Sequence, residues 1–174
     1  MWYFAYGSNM ETATLSGRRG IRFSGARAAR AAGWRLVLDK PPLVPIGESF
    51  ANIVPDPDAE VLGVLYEVTP ADLEHIELTE GVRVGNYRRV DVPVVSLVVP
   101  AREIVAATLV SDARDPALRP SIRYMACLIA GAEEHGLPTE WIAVLRAVPA
   151  GPESRAAAEF RPLLDAFLRR SDGE

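Results

Sequence analysis

The sequence predicts an α+β fold, and three observations carry that prediction. Runs of alternating apolar and polar residues fill most of the chain before residue 110, which is the period of half-buried strands. Capped segments with helical spacing follow from Pro120 onward. The 174 residues, 49% of them hydrophobic, suffice for one filled core, so a single domain over residues 1–150 is expected. Residues 151–174 form a terminal amphipathic helix, docked on that domain or on a partner subunit.

The first strand runs from Trp2 into Gly7-Ser8-Asn9. A strand, a turn and a helix in this order place backbone N–H groups at a helix start, where unpaired donors and the dipole favour an anion. Asn9 reads equally well as a helix N-cap, and on spacing alone a capped turn accounts for the stretch. Met10 to Ser16 reads as a short helix ended by Gly17, followed by a loop to Gly25. Trp34, Leu36 and Leu38 alternate with Arg35, Val37 and Asp39 as a second strand. The proline-rich loop from Lys40 to Ser49 either covers a pocket or only connects.

Phe50 to Val54 and Val61 to Val68 read as a hairpin around Pro55-Asp56-Pro57-Asp58. Thr69 then caps a helix with Pro70 at its first position and Asp72 near its positive end, and Gly81 stops it. Leu73, Ile76 and Leu78 form its apolar side; Glu74, Glu77 and Glu80 recur every three residues along one face. Arg88 to Val99 and Ile104 to Val110 supply further strands, with Val90, Val92 and Val94 on one face. The longest helix spans Ser121 to His135, with Ile122, Met125, Ile129 and Ala132 as its buried stripe and Gly136 after it. Thr139 caps the next helix, which carries Trp141, Val144, Leu145 and Val148. Phe160, Leu163, Leu164, Phe167 and Leu168 give the terminal helix its apolar face, kinked or restarted at Pro162.

Composition narrows the function classes. The net charge of −4 and the scattered basic residues argue against a nucleic-acid or anionic-membrane surface. Lys40 is the only lysine; the other basic residues are arginines. One cysteine, Cys127, excludes an intramolecular disulfide and reads as a core thiol, and no signal peptide is visible, so a cytoplasmic protein is expected. The apolar stretch from Val92 to Ala101 is too short to cross a bilayer. His75 and His135 lack a second ligand at zinc spacing and read as surface or helix-end residues, so no transition-metal site is expected.

Four ordered blocks then converge. Tyr3 to Met10, Gly63-Val64-Leu65-Tyr66, Glu80-Gly81-Val82 with Gly85 and Tyr87, and Pro120-Ser121 through Tyr124, Gly131-Ala132 and Gly136-Leu137-Pro138 resemble the γ-glutamylcyclotransferase family in order and spacing, over residues 2–148. The resemblance implies a small mixed barrel-like sheet flanked by helices. It implies an enzyme of acyltransferase or lyase type that converts a γ-glutamyl amide or dipeptide to 5-oxoproline plus a free amine or amino acid, with no metal or organic cofactor and a small-molecule substrate as partner. Carried over by the resemblance are Glu80 as general acid/base, Tyr3, Phe4, Ala5, Tyr6, Gly7 and Ser8 as the substrate-binding loop, and Tyr124 and Tyr87 as substrate contacts. A carboxylate does such work where burial lifts its pKa toward neutral.

Ile76-Glu77 stands where many members show Leu-Asp, and Trp141 where a tyrosine is more usual; both departures bear on substrate preference. The Pro120 to Pro138 block looks more like the broad dipeptide-acting branch than the glutathione-specific one. Two alternatives stay open on the sequence: removal of a γ-glutamyl group from a polyamine, a lysine side chain or a natural product, and a non-catalytic ligand-binding protein. The latter would be expected to lack Glu80 or the Gly-Ser-Asn turn, and both are present. A homodimer through the terminal helix is a further arrangement the sequence allows.

Overall fold

The structure, a computed structural model, describes residues 1–169. Its strands are β1 (Trp2–Ala5), β2 (Phe23–Lys40), β3 (Phe50–Val68), β4 (Arg88–Ser96) and β5 (Glu103–Val110). They close into a barrel in the order β1-β3-β2-β4-β5. All neighbours are antiparallel except the closing pair, in which β5 runs parallel to β1 through Tyr3 and Ala107. The helices are α1 (Pro70–Thr79), α2 (Ile122–Glu134), α3 (Thr139–Arg146) and α4 (Arg155–Leu168). This is the mixed barrel flanked by helices that the sequence resemblance implied. Among the described residues no helix is long and apolar enough to cross a membrane.

The central hairpin differs from its sequence reading. β2 is continuous, because Ala29 and Ala31 point inward and are buried while Arg30 and Ala32 point outward, a period of two that alanine content disguises. Arg27 adds a cation–π contact, its guanidinium 4.7 Å from the ring of Trp2. Trp34, Leu36 and Leu38 are half-buried, and Val37 on the opposite face is more deeply covered. Phe50 to Val54 and Val61 to Val68 do not pair with each other. Both pair with β2, and the Pro55–Asp58 stretch lies where the register shifts opposite Gly33, whose φ of +79° only glycine adopts freely. The chain bulges there without reversing direction.

Local signals fixed the other elements more closely. The Thr69 side chain accepts from the Asp72 N–H at 3.1 Å, a cap worth about 1 kcal/mol. Ser121 caps α2 in the same way through the Tyr124 N–H. On α2, Ile122 faces solvent, and the buried positions are Met125, Leu128, Gly131 and Ala132. The stripe is rotated because Gly131 meets backbone: a Cβ there would lie 2.5 Å from the Met10 carbonyl carbon and the Glu11 nitrogen. Thr139 is the first residue of α3, and Pro138 occupies the cap position without a side-chain bond. Buried Ile142 and Leu145 anchor that helix, while Val144 is exposed. α4 continues through Pro162.

After β1 the chain forms a 3-10 turn over Ser8–Met10 and one π-helical turn over Ala13–Arg18, in place of a helix ended by Gly17. Asn9 lies inside the first turn and caps nothing; its side chain is spent elsewhere.

Candidate active site

Glu80 immediately follows the last residue of α1. Gly81, at φ +76°, ends the helix, and Asn86 folds back on the break: its N–H reaches the Gly81 carbonyl at 3.0 Å and its Nδ2 the Glu80 carbonyl at 2.8 Å. The backbone under Glu80 is therefore held on both sides. Its Oε1 accepts from Asn9 Nδ2 at 3.0 Å and from Arg19 Nη2 at 2.6 Å. The Arg19 and Glu80 side chains are 7% and 19% exposed, so the ion pair is largely out of water. Among the described residues both donors fall on Oε1 and none on Oε2.

Asn9 Nδ2 also donates to the Tyr3 hydroxyl at 3.0 Å, tying β1, the turn and α1 into one unit. Arg19 Nη1 reaches Thr79 Oγ1 at 2.5 Å. Among the described residues, Asn9 Oδ1 and Arg19 Nε are buried without a hydrogen-bond partner.

These groups border a cavity of about 520 Å³, within the usual range for small-molecule sites. Gly7 and Ser8 line it beside Tyr124. A Cβ on Gly7 would lie 3.2 Å from the Tyr124 hydroxyl, so glycine lets the turn approach the ring. Tyr124 stands in the first turn of α2 and packs edge-on against Phe50 at 4.9 Å.

Four of the five tyrosines, Tyr3, Tyr6, Tyr87 and Tyr124, border the cavity. Burial pushes the pKa of each well up, so all four stay protonated. Their hydroxyl protons are committed differently. Tyr6 donates to the Leu109 carbonyl and Tyr87 to the Ala51 carbonyl at 3.0 Å. Tyr124 accepts from the Ala51 N–H at 3.0 Å, and Tyr3 accepts from Asn9. The latter two retain a proton to donate into the cavity.

The residues proposed from the sequence separate accordingly. Glu80, Tyr3, Tyr6, Gly7, Ser8, Tyr87 and Tyr124 border one cavity. Phe4 and Ala5 lie outside it, buried in the barrel, with Gly63 letting the Ala5 carbonyl approach. Glu77, the other acid on the α1 face, turns to the surface and pairs with Arg89 at 3.3 Å. Cys127 is half-buried and borders the cavity instead of filling the core. His135 contacts the Tyr66 hydroxyl at 2.9 Å and His75 the Leu168 carbonyl at 3.0 Å, both outside the cavity lining.

Sequence reasoning missed Arg19, Lys40 and Asn86, and gave Asn9 a different job. No local pattern marks them, since their partners lie far along the chain. Lys40 sits over the ring of Tyr87 at 4.4 Å and donates to Asn86 Oδ1. Its removal from water lowers its pKa to about 8, against an opposing pull from Glu80.

The outer wall comes from two pieces of the chain. Leu43, Val44 and Ile46 of the proline-rich loop border the cavity, as do Phe160, Leu164 and Phe167 of α4. The Ser154 N–H and hydroxyl bond Glu48 Oε1 at 2.6 Å and the Ile46 carbonyl at 2.5 Å, fastening the helix to the loop. Arg18 pairs with Asp165 on the far side. The terminal helix thus docks on its own chain, across the cavity.

Comparison with known proteins agrees with this geometry. Residues 60–145 match the AIG2-like family. The γ-glutamylcyclotransferase of Homo sapiens is 26% identical over 160 residues, spanning 84% of this chain and 77% of that protein. The γ-glutamylcyclotransferase of Bos taurus is 28% identical over 148 residues, spanning 80% and 73%. A solved structure of a γ-glutamyl cyclotransferase superposes with a TM-score of 0.75 at 25% identity, covering 95% of this chain and 98% of the other. Sequence relatives, barrel topology and the ordered motifs point the same way: the chain is similar in sequence and in fold to γ-glutamylcyclotransferases.

Proposed function

We propose that this chain is a γ-glutamylcyclotransferase that closes the glutamyl group of a γ-glutamyl amide on itself, releasing 5-oxoproline and a free amine or amino acid. The observation that carries this reading is the convergence of one largely buried carboxylate, Glu80, and the Gly7-Ser8 turn on one cavity.

The substrate supplies its own nucleophile, the α-amine, and the cavity holds the bent conformer in which that nitrogen meets the γ-carbonyl carbon. Such orientation is worth up to about 7–11 kcal/mol in favourable intramolecular reactions. The α-ammonium starts with three protons and the lactam nitrogen keeps one; the other two end on the departing nitrogen. Glu80 Oε2 takes a proton from the attacking nitrogen and returns it to the leaving one as the C–N bond breaks. The turn amides and the Tyr124 hydroxyl face the carbonyl oxygen that gains charge. Because the nucleophile belongs to the substrate, the reaction proceeds without a metal or organic cofactor.

The cavity is larger than a 5-oxoproline ring requires, and Leu43, Ile46, Phe160 and Leu164 give it an apolar outer wall, which favours an apolar leaving group. The test is 5-oxoproline release over γ-glutamyl dipeptides, γ-glutamyl amines and glutathione. Release from at least one, with dipeptides preferred over glutathione, is expected. A folded protein that releases none overturns the reading.

A further inference from the structure

We propose that Lys40 is a specificity residue that binds the α-carboxylate of the glutamyl group, so that the enzyme selects substrates carrying that negative charge. The inference rests on the cyclotransferase reading and adds to it a group that none of the sequence motifs contains.

Lys40 is 1% exposed, yet it borders the cavity. A buried ammonium is costly unless a negative charge meets it. The other buried or half-buried cations of the lining each have one: Arg18 pairs with Asp165, Arg19 with Glu80, and Arg161 with Glu153. Among the described residues, Lys40 makes no ion pair; its contacts are a neutral carboxamide, Asn86, and the face of Tyr87. One of its three N–H bonds goes to Asn86 Oδ1, and the remaining donors can meet a ligand anion.

Position selects which anion. The Asn86 side chain that accepts from Lys40 also donates to the Glu80 backbone, so Lys40 lies on the Glu80 side of the cavity. In the substrate, the α-amine that must meet Glu80 and the α-carboxylate share one carbon. A cation beside Glu80 therefore meets the α-carboxylate when the amine meets the acid, and fixes which nitrogen points at the γ-carbonyl. A carboxylate on the leaving group lies instead across the scissile bond from that carbon.

The experiment compares kcat/KM for a γ-glutamyl anilide and for its analogue with an α-carboxamide, in the wild-type enzyme and in Lys40→Met. Wild type should prefer the carboxylate form, and the variant should lose about 10²-fold of that preference, chiefly through KM, the scale of one charge-assisted hydrogen bond. Equal loss on both substrates, or no loss, overturns the proposal, as does a loss that follows a carboxylate on the leaving group. Should Lys40→Met fail to fold, the wild-type chain labelled with ¹⁵N-lysine gives one Nζ resonance. Its pKa should rise on adding 5-oxoproline and not on adding 5-oxoprolinamide; bound 5-oxoproline with no such rise overturns the assignment. Absence of 5-oxoproline from every substrate overturns the cyclotransferase reading and this one together. An active enzyme without the discrimination overturns only the role of Lys40.

Discussion

Replacing Glu80 with glutamine removes one charge and leaves another stranded. Glu80→Gln deletes the group that moves the proton, for which a loss of about 10²–10⁴ in turnover is the usual scale. It also takes the carboxylate from Arg19, whose side chain is 7% exposed. Removing one partner of a buried pair costs about 3–5 kcal/mol. Here the glutamine oxygen still accepts from Arg19 and Asn9, so the lower end applies. For a chain of this size that corresponds to a fall in Tm of about 6–12 °C at roughly 2–4 °C per kcal/mol. The double variant Arg19→Met/Glu80→Gln removes the stranded cation and should regain most of the Tm while remaining inactive. Calorimetry and single-turnover 5-oxoproline release, measured well below the lower Tm, separate the two effects. Turnover of Glu80→Gln within about threefold of wild type refutes the acid/base role, and a double variant that regains activity with stability shows that the loss was structural.

Four further outcomes follow from particular contacts. Tyr124→Phe keeps the edge-on packing against Phe50 but loses a hydroxyl aimed at the cavity and leaves the buried Ala51 N–H without its acceptor, and should lower kcat/KM about tenfold or more and cost about 1–3 kcal/mol of stability. Tyr87→Phe instead leaves the Ala51 carbonyl without its donor, and should cost about 1–3 kcal/mol of stability with less effect on kcat/KM, read by denaturant titration alongside the assay. Gly131→Ala drives a methyl into the backbone of Met10 and Glu11, and should cost about 1–3 kcal/mol and reduce turnover by displacing the turn. The pKa of Lys40, lowered by burial from 10.5 to about 8, gives two signs to check. Below pH 8 its charge is a burden on the folded state of order 3 kcal/mol at about 1.4 kcal/mol per tenfold in proton affinity; from pH 8 to 10.5 the folded state releases a proton the unfolded chain keeps, so stability rises. Calorimetry should find Lys40→Met more stable than wild type near pH 7, with the advantage fading across that window. In the assay, wild-type kcat/KM for the α-carboxylate substrate should bend downward above pH 8 and the bend should be absent in Lys40→Arg, whose cation does not titrate there.

The parts of the fold legible in the sequence are those with a local cause. Thr69, Pro70 and Gly81 delimit α1, and Ser121 and Gly136 delimit α2, because caps and glycine breaks act within a turn of the chain. Glu80 and the Gly7-Ser8 turn stood out through ordered motifs. What stayed hidden depends on pairing across long distances. The alanines of β2 carry strand character only because β3 lies beside them residue for residue, and Pro55-Asp56-Pro57-Asp58 reads as a reversal until β2 is known to hold both flanks. Asn9 looked like a cap because that is what an asparagine after a strand does locally; in the fold its amide reaches across to Glu80, 71 positions away. Arg19 and Lys40 are ordinary basic residues in a charged loop and at a strand end until the barrel closes around them. The α2 stripe is rotated in the sequence reading, with Ile122 and Ile129 in place of Leu128 and Gly131, because Gly131, which carries no apolar side chain, is the point of closest contact.

The central claim is that the substrate's own amine, and not water, cleaves the γ-glutamyl amide. Reaction in H₂¹⁸O with a γ-glutamyl dipeptide, followed by mass analysis of the products, tests it most directly. Ring closure predicts 5-oxoproline without ¹⁸O and no glutamate formed by the enzyme. Glutamate carrying ¹⁸O in its γ-carboxylate, in place of unlabelled 5-oxoproline, would show a hydrolase and contradict the account.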